Sequence, residues 1–242
     1  MDPAQLCERI SLWIKEKVEE ANSKGGVLGL SGGIDSAVVA VLSKKALGDK
    51  VLGVIMPCYS DPEDVRCARE VAERFSIPTR EVFLEPVYDK FKEILPPGNK
   101  IAEANIKPRI RMITLYYFAN TLNYLVIGTG NKSEIMMGYF TKYGDGGVDI
   151  LPIGGLLKTE VKEIAKYLGI PDSIVNRVPS AGLWSGQTDE EEMGITYHEI
   201  DKAIRKIEGE KNLEVSPASL NKVMGAIKRT YHKRSLPPIF EK

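Results

Sequence analysis

Apolar residues at three- and four-residue spacings open the chain. Leu6, Ile10, Trp13, Ile14 and Val18 share one face and predict an amphipathic helix over residues 3–20. Lys24-Gly25-Gly26 breaks that pattern. The short apolar run Val27–Leu30 then reads as a buried strand, and a helix follows through Leu47. A second strand is expected at 51–56, a helix at 65–75, an extended segment at 79–84 and a long helix at 101–121. Leu125–Ile127 is a further buried strand, running into Gly128-Thr129-Gly130. Downstream the pattern turns helical, with candidates at 159–168, 190–207 and 217–228. Alternating helices and strands predict an α/β fold, a doubly wound, mostly parallel sheet flanked by helices. The expected organisation is a single domain over 1–242: an N-terminal helix (3–20), a sheet core (26–170) and a helical C-terminal part (171–242).

Charge removes several function classes. Lys plus Arg (33) equals Asp plus Glu (33), so no overall field steers nucleic acid or an acidic membrane toward the chain. No apolar run approaches the roughly 18 residues that cross a bilayer, and the N-terminus lacks a secretory pattern. Three cysteines without a C-x-x-C spacing make neither a disulfide framework nor a zinc site, and they fit a reducing, cytoplasmic setting.

The chemistry concentrates where the first strand ends in Ser31-Gly32-Gly33-Ile34-Asp35-Ser36. Two adjacent glycines let backbone approach phosphate oxygens at a helix N-terminus, and the serine hydroxyls add donors. Equally, the stretch reads as a Ser/Gly turn with Asp35 or Ser36 as an ordinary helix cap. It is not a Walker A loop, because no Gly-Lys-Ser/Thr follows. An acidic residue beside phosphates calls for a cation between them, so Asp35 argues for magnesium.

Ser31–Ser36 resembles the SGGxDS loop of the ATP pyrophosphatases, which split ATP between the α- and β-phosphates. Three later stretches narrow the resemblance to the NAD synthetase family: Tyr139-Phe140-Thr141-Lys142-Tyr143-Gly144-Asp145-Gly146-Gly147 with Asp149, Pro179-Ser180-Ala181-Gly182-Leu183-Trp184 leading to Gly186-Gln187-Thr188-Asp189-Glu190, and His232-Lys233-Arg234. The ATP loop begins at residue 31, which leaves no room for an N-terminal amidase domain. The resemblance is therefore to the ammonia-dependent form.

That resemblance implies a Rossmann-like ATP pyrophosphatase fold and the amidation of deamido-NAD by ammonia, through an acyl-adenylate, to NAD, AMP and pyrophosphate. It implies ATP bound by Gly29, Leu30, Ser31, Gly32, Gly33, Ile34, Asp35 and Ser36 with Thr129, Lys158 and Ser180. Magnesium would be shared by Asp35 and Glu134. Deamido-NAD would meet Arg109, Lys142, Asp149, His232 and Lys233 at the interface of a homodimer. Asp35 and Lys158 would act on the triphosphate, and Asp145 would orient or deprotonate the incoming nitrogen. Two rivals stay open: another ATP pyrophosphatase acting on tRNA, which would favour a basic chain, and a non-catalytic adenine-nucleotide sensor, which would need neither Asp35/Glu134 nor Lys158.

Overall fold

The structure, a computed structural model, describes residues 2–184 and 186–241. Four strands form one parallel sheet: β1 (Gly25–Gly29), β2 (Val51–Ile55), β3 (Thr79–Glu81) and β4 (Tyr124–Val126), in the order β3-β2-β1-β4. The first half of the chain carries α1 (Pro3–Glu20), α2 (Ile34–Leu47), α3 (Pro62–Arg74), α4 (Glu85–Ile94), α5 (Lys100–Ala104) and α6 (Ile106–Leu122). Then follow α7 (Lys132–Met137), α8 (Lys158–Tyr167), α9 (Asp172–Val175), α10 (Asp189–Met193), α11 (Tyr197–Ile207), α12 (Pro217–Arg229) and α13 (Tyr231–Arg234).

Strand residues point alternately to opposite faces, and here both faces are covered. Leu28, Leu30, Val51 and Ile55 pack with α1, α2, α3 and α8 on one side. Val27, Val54, Met56 and Val126 pack with α4 and α6 on the other. This two-sided burial explains why the strands read as continuous apolar runs. A third cluster joins α11 and α12 to Met137 and Leu157, docking the C-terminal helices beside α7 and α8.

The predicted α/β architecture and the helix over 3–20 match the structure, while three local expectations change. The helix expected over 101–121 is broken at Asn105 into α5 and α6. Pro108 has no N–H for the Ala104 carbonyl and its ring crowds that turn, so one continuous helix cannot pass. The helix expected over 190–207 is interrupted by Gly194, whose φ of +64° ends α10 before Thr196 starts α11 with a capping box. Helix α4 was not anticipated, because its apolar face is short and only Tyr88 is buried.

The strand order reverses beside β1: β1 connects through α2 to β2 on one flank and is paired with β4 on the other. Ligands in such sheets bind beyond the carboxyl ends of the strands at that point. Close strand approach at the opposite end leaves no room at Gly25, where an added Cβ would lie 2.0 Å from the Lys50 carbonyl oxygen. That oxygen accepts the Gly26 N–H at 2.9 Å. Gly25→Ala is therefore expected to cost about 1–3 kcal/mol of stability as an overpacked site. The measurement is a lowered denaturant midpoint at unchanged slope.

Candidate active site

A cleft of about 1080 Å³ opens beyond the carboxyl ends of β1, β2 and β4. Its floor is the loop Ser31–Ser36. Gly32 has φ +84° and would place a Cβ 2.1 Å from the Asp64 carbonyl oxygen, so only glycine fits that turn. Ser36 Oγ accepts from the Ser31 N–H (3.2 Å) and Ser31 hydroxyl (3.0 Å), and donates to the Gly33 carbonyl (2.9 Å). Gly33 is the N-cap of α2, and no side chain caps the helix. The ordinary-cap reading of Asp35 and Ser36 is thus overturned: their side chains are engaged elsewhere. The first N–H groups of a 14-residue helix, with its positive dipole end, are left facing the cleft.

Asp35 points across to the loop after β4. Its Oδ1 accepts from Asn131 Nδ2 at 2.9 Å, and its Oδ2 is ion-paired with Lys158 Nζ. The same ammonium lies 3.3 Å from Glu134 Oε1. Glu134 is oriented by a capping box at the start of α7: Glu134 Oε2 accepts from the Asn131 N–H, and Asn131 Oδ1 accepts from the Glu134 N–H. Tyr197 brings its hydroxyl to 3.3 Å from Glu134 Oε1 and 2.9 Å from Asp189 Oδ2, with its ring 5.0 Å from the Lys158 ammonium. Burial, then the nearby Asp35 charge, push the Glu134 carboxyl above the usual range. Burial opposes the charge on Lys158, but the two carboxylates outweigh it and raise its pKa.

Asp35 and Glu134 thus share one cationic position, filled here by an ammonium. Among the described residues no three His, Cys, Asp or Glu side chains are grouped to hold a metal. Two carboxylates without a third protein ligand suit a hard divalent ion that completes its shell with phosphate and water oxygens. The donor set fits magnesium held jointly with a phosphorylated ligand.

Thr129, Ser180, Asp145 and Lys233 also line the cleft. Asp145 accepts from the Thr141 N–H at 2.9 Å. Water reaches its carboxyl from the cleft, yet the surrounding protein pushes its pKa up, opposed in part by hydrogen bonds and the Lys233 charge. Lys233 donates to the carbonyls of Gly138 (2.8 Å) and Phe140 (2.7 Å). Ser180 Oγ accepts from the Gly182 N–H at 3.1 Å.

The other sequence candidates lie apart from this wall. Arg109 donates to the Asn105 and Lys142 carbonyls, and Lys142 donates to the His232 carbonyl at 2.6 Å, which joins the three as a ridge outside the cleft. Each Asp149 oxygen accepts one hydrogen bond, from the Tyr116 hydroxyl (2.8 Å) and the Val126 N–H (2.7 Å), so that carboxylate ties α6 to β4.

Several residues escaped the sequence reading. Asp201 on α11 is buried, accepting from the Ser133 hydroxyl (2.5 Å) and the Thr159 N–H (2.9 Å), while Ser133 Oγ accepts from the Lys158 N–H (3.0 Å). One carboxylate thereby joins the starts of α7 and α8, each contact one residue from Glu134 or Lys158. Its only sequence signal is an acidic residue amid the apolar positions Tyr197, Ile200 and Ile204. Arg111 lines the cleft two residues beyond Arg109, on the opposite side of α6. Arg177 lines it too, paired with Asp64 at 2.7 Å.

Comparison with known proteins gives a consistent answer. Residues 6–237 match the family model described as NAD synthase. A curated relative from Carboxydothermus hydrogenoformans, NH(3)-dependent NAD(+) synthetase, is 50% identical over 96% of this chain and 95% of its own. Among solved structures, NMN synthetase from Francisella tularensis is 37% identical with a TM-score of 0.92, covering 100% of both chains. NH3-dependent NAD synthetase from Campylobacter jejuni, in complex with nitrate, is 31% identical with a TM-score of 0.87, again covering 100% of both. With its site built around the Ser31–Ser36 loop and the Asp35–Lys158–Glu134 cluster, the chain belongs to the NAD synthase family.

Proposed function

We propose that the chain is an ATP-dependent ligase that amidates the nicotinate carboxylate of deamido-NAD with ammonia, giving NAD, AMP and pyrophosphate. The observation that carries this reading is the Lys158 ammonium shared by Asp35 and Glu134 directly beyond the uncapped start of α2. A non-catalytic nucleotide sensor has no need of such a cluster, and a chain with equal acidic and basic counts does not favour a tRNA substrate.

A carboxylate is a poor electrophile, because direct attack by ammonia would have to expel oxide. In the first half-reaction its oxygen bonds to the α-phosphorus of ATP as the bond to the bridging oxygen breaks, and pyrophosphate departs. Backbone N–H groups of Ser31–Ser36, the α2 N-terminus and Lys158 hold the charge accumulating on that leaving group. Magnesium, when bound between Asp35 and Glu134, would supply further charge neutralisation there. Thr129 and Ser180 flank the triphosphate. In the second half-reaction ammonia adds to the activated carbonyl, AMP leaves, and Asp145 takes the proton from nitrogen.

The Arg109–Lys142–His232 ridge lies on the solvent face of α6, with Ile113 (58% exposed) and Tyr117 (66% exposed) continuing the Arg109 stripe. Large exposed apolar side chains at i+4 and i+8 from Arg109 are a surface for a second copy of the chain, so we assign a homodimer whose interface completes the deamido-NAD site. Three free, buried cysteines fit a reducing compartment and hence the cytoplasm. The similarity to NMN synthetase favours a second reading, in which the acceptor is the mononucleotide with the same nicotinate carboxylate. The 50% identity to an NH(3)-dependent NAD(+) synthetase favours the dinucleotide.

With Mg-ATP and deamido-NAD, pyrophosphate release is expected, and NAD should form only when ammonium is added. Release with nicotinic acid mononucleotide but not deamido-NAD would move the reading to the second acceptor, and release with neither would refute both. Lys158→Ala should slow release about 100-fold or more, the usual effect of deleting a preorganised charge donor.

Because the Asp145 pKa is raised, the acid limb of amide formation should lie above the pH of an ordinary carboxylate, about 3.9. Asp145→Asn should remove that limb and slow amide formation more than pyrophosphate release. The raised folded-state pKa means that the stabilising contribution present below the unfolded pKa is lost as pH rises through the folded value. Ionised Asp145 therefore costs stability at neutral pH, and Asp145→Asn should raise Tm at pH 7. Light scattering should give a dimer mass for the wild type and a monomer mass for Ile113→Glu.

A further inference from the structure

Four cationic side chains line the cleft among the described residues: Arg111, Lys158, Arg177 and Lys233. Lys158 is neutralised by Asp35 and Glu134, and Arg177 by Asp64. Lys233 donates two of its three N–H groups to the carbonyls of Gly138 and Phe140. Arg111 differs from the two ion-paired cations, and from Lys233 by its planar fork. Its Nε donates to the Met56 carbonyl at 3.2 Å and its Nη2 to Ser60 Oγ at 3.3 Å, and Nη1 has no partner among the described residues. Asp145, Asp64 and Glu85 are near enough for their charge to be felt, yet none forms an ion pair with it among the described residues.

A guanidinium surrounded by protein without an anion in contact is costly, and the cost is recovered when an anionic ligand enters. The side chain is also held ready. One edge of its planar fork is fixed by the end of β2 and by Ser60, whose hydroxyl oxygen accepts in addition from the Cys58 N–H (3.2 Å). The remaining donors are left to the cleft, in the geometry that suits carboxylate or phosphate oxygens. Asn105, Pro108, Arg111 and Leu115 form the stripe of α5–α6 that faces the cleft, so the position is set by helical spacing rather than by a loose surface rotamer.

The reaction makes a specific demand of this wall. Two anions, a carboxylate and the α-phosphate, must come into contact in a cleft already lined by Asp35, Glu134, Asp145 and Asp189. In the ligase reading above, Lys158 meets the departing pyrophosphate and leaves the carboxylate–α-phosphate junction without a cation of its own. We propose that Arg111 binds an anionic oxygen at the junction of the two substrates, either the nicotinate carboxylate or the α-phosphate it attacks, and so lowers the repulsion between them. This role rests on the ligase reading above and adds a substrate-binding residue to it, distinct from Arg109 on the outer side of the same helix.

The test measures calorimetric affinity of wild type, Arg111→Met and Arg111→Lys for deamido-NAD, NAD and Mg-ATP separately, together with pyrophosphate release and thermal unfolding. Arg111→Met is expected to lower pyrophosphate release at least 100-fold, with partial recovery in Arg111→Lys. If the arginine holds the carboxylate, deamido-NAD affinity falls at least ten-fold while affinity for NAD, which carries an amide instead, stays unchanged. If it holds the α-phosphate, Mg-ATP affinity falls instead. Affinities and release within two-fold of wild type in a normally folded Arg111→Met protein would overturn the proposal. Unfolding of both variants would overturn it as well, by making the arginine a structural element. Wild type that releases no pyrophosphate with deamido-NAD would count against the ligase reading alone, and the Mg-ATP arm would still decide whether Arg111 holds a phosphate.

Discussion

The ion cluster Asp35–Lys158–Glu134 is the contact on which the rest of the site depends. Three segments far apart in the chain meet there: the first turn of α2, the first turn of α7 and the first residue of α8. Removing one partner of a buried ion pair leaves an uncompensated charge and typically costs about 3–5 kcal/mol. Desolvation of the intact cluster is offset by its surroundings. Asn131 donates to Asp35 and to its own capping box, the Tyr197 ring covers the ammonium, and the Tyr197 hydroxyl bridges toward Asp189. Opposite charges within a low-dielectric wall raise the Lys158 pKa against burial, so it stays protonated at neutral pH.

This cluster also explains the C-terminal helices. Asp201 reaches from α11 to Ser133 and to the Thr159 N–H, satisfying donors at the start of α8 that a helix cannot satisfy itself. A negative charge there also complements the α8 dipole. The cluster formed by Ile200, Ile204, Val223 and Ala226 supplies the burial that holds α11 in place. Arg234 closes the arrangement by donating to the Ile135 and Met136 carbonyls of α7. Packing in the helical part thus acts on the active-site side chains through backbone positions one residue away from them.

The cleft solves an electrostatic problem by dividing it. On one side an uncapped helix N-terminus lies beside a cation position shared by two carboxylates. On the other, Asp145 sits in a turn-rich loop where desolvation by the surrounding protein raises its pKa. Arg111 stands between these regions without an ion-pair partner.

Much of this was legible from the chain. Apolar runs bounded by glycine and proline determine a parallel, doubly covered sheet, because strands buried on both faces cannot show alternation. A Gly-Gly turn between a strand and a helix makes a phosphate loop one of two open readings; that a Cβ at Gly32 would strike the Asp64 carbonyl is a contact only the fold creates. The family resemblance points to Asp35, Glu134, Lys158 and Asp145, and the structure places all four on the cleft. Other outcomes were decided only by tertiary structure. Whether Asp35 caps its own helix or pairs with Lys158 depends on a residue 123 positions away. Arg109 and Arg111 are alike in sequence, yet helical geometry turns one outward and the other into the cleft. That Asp149 ties α6 to β4 through the Tyr116 hydroxyl and the Val126 N–H is likewise invisible in the local sequence. Local sequence determines backbone conformation through sterics and burial through pattern. Which charges meet is set by long-range packing, because a single charged side chain carries no periodic signal of its partner.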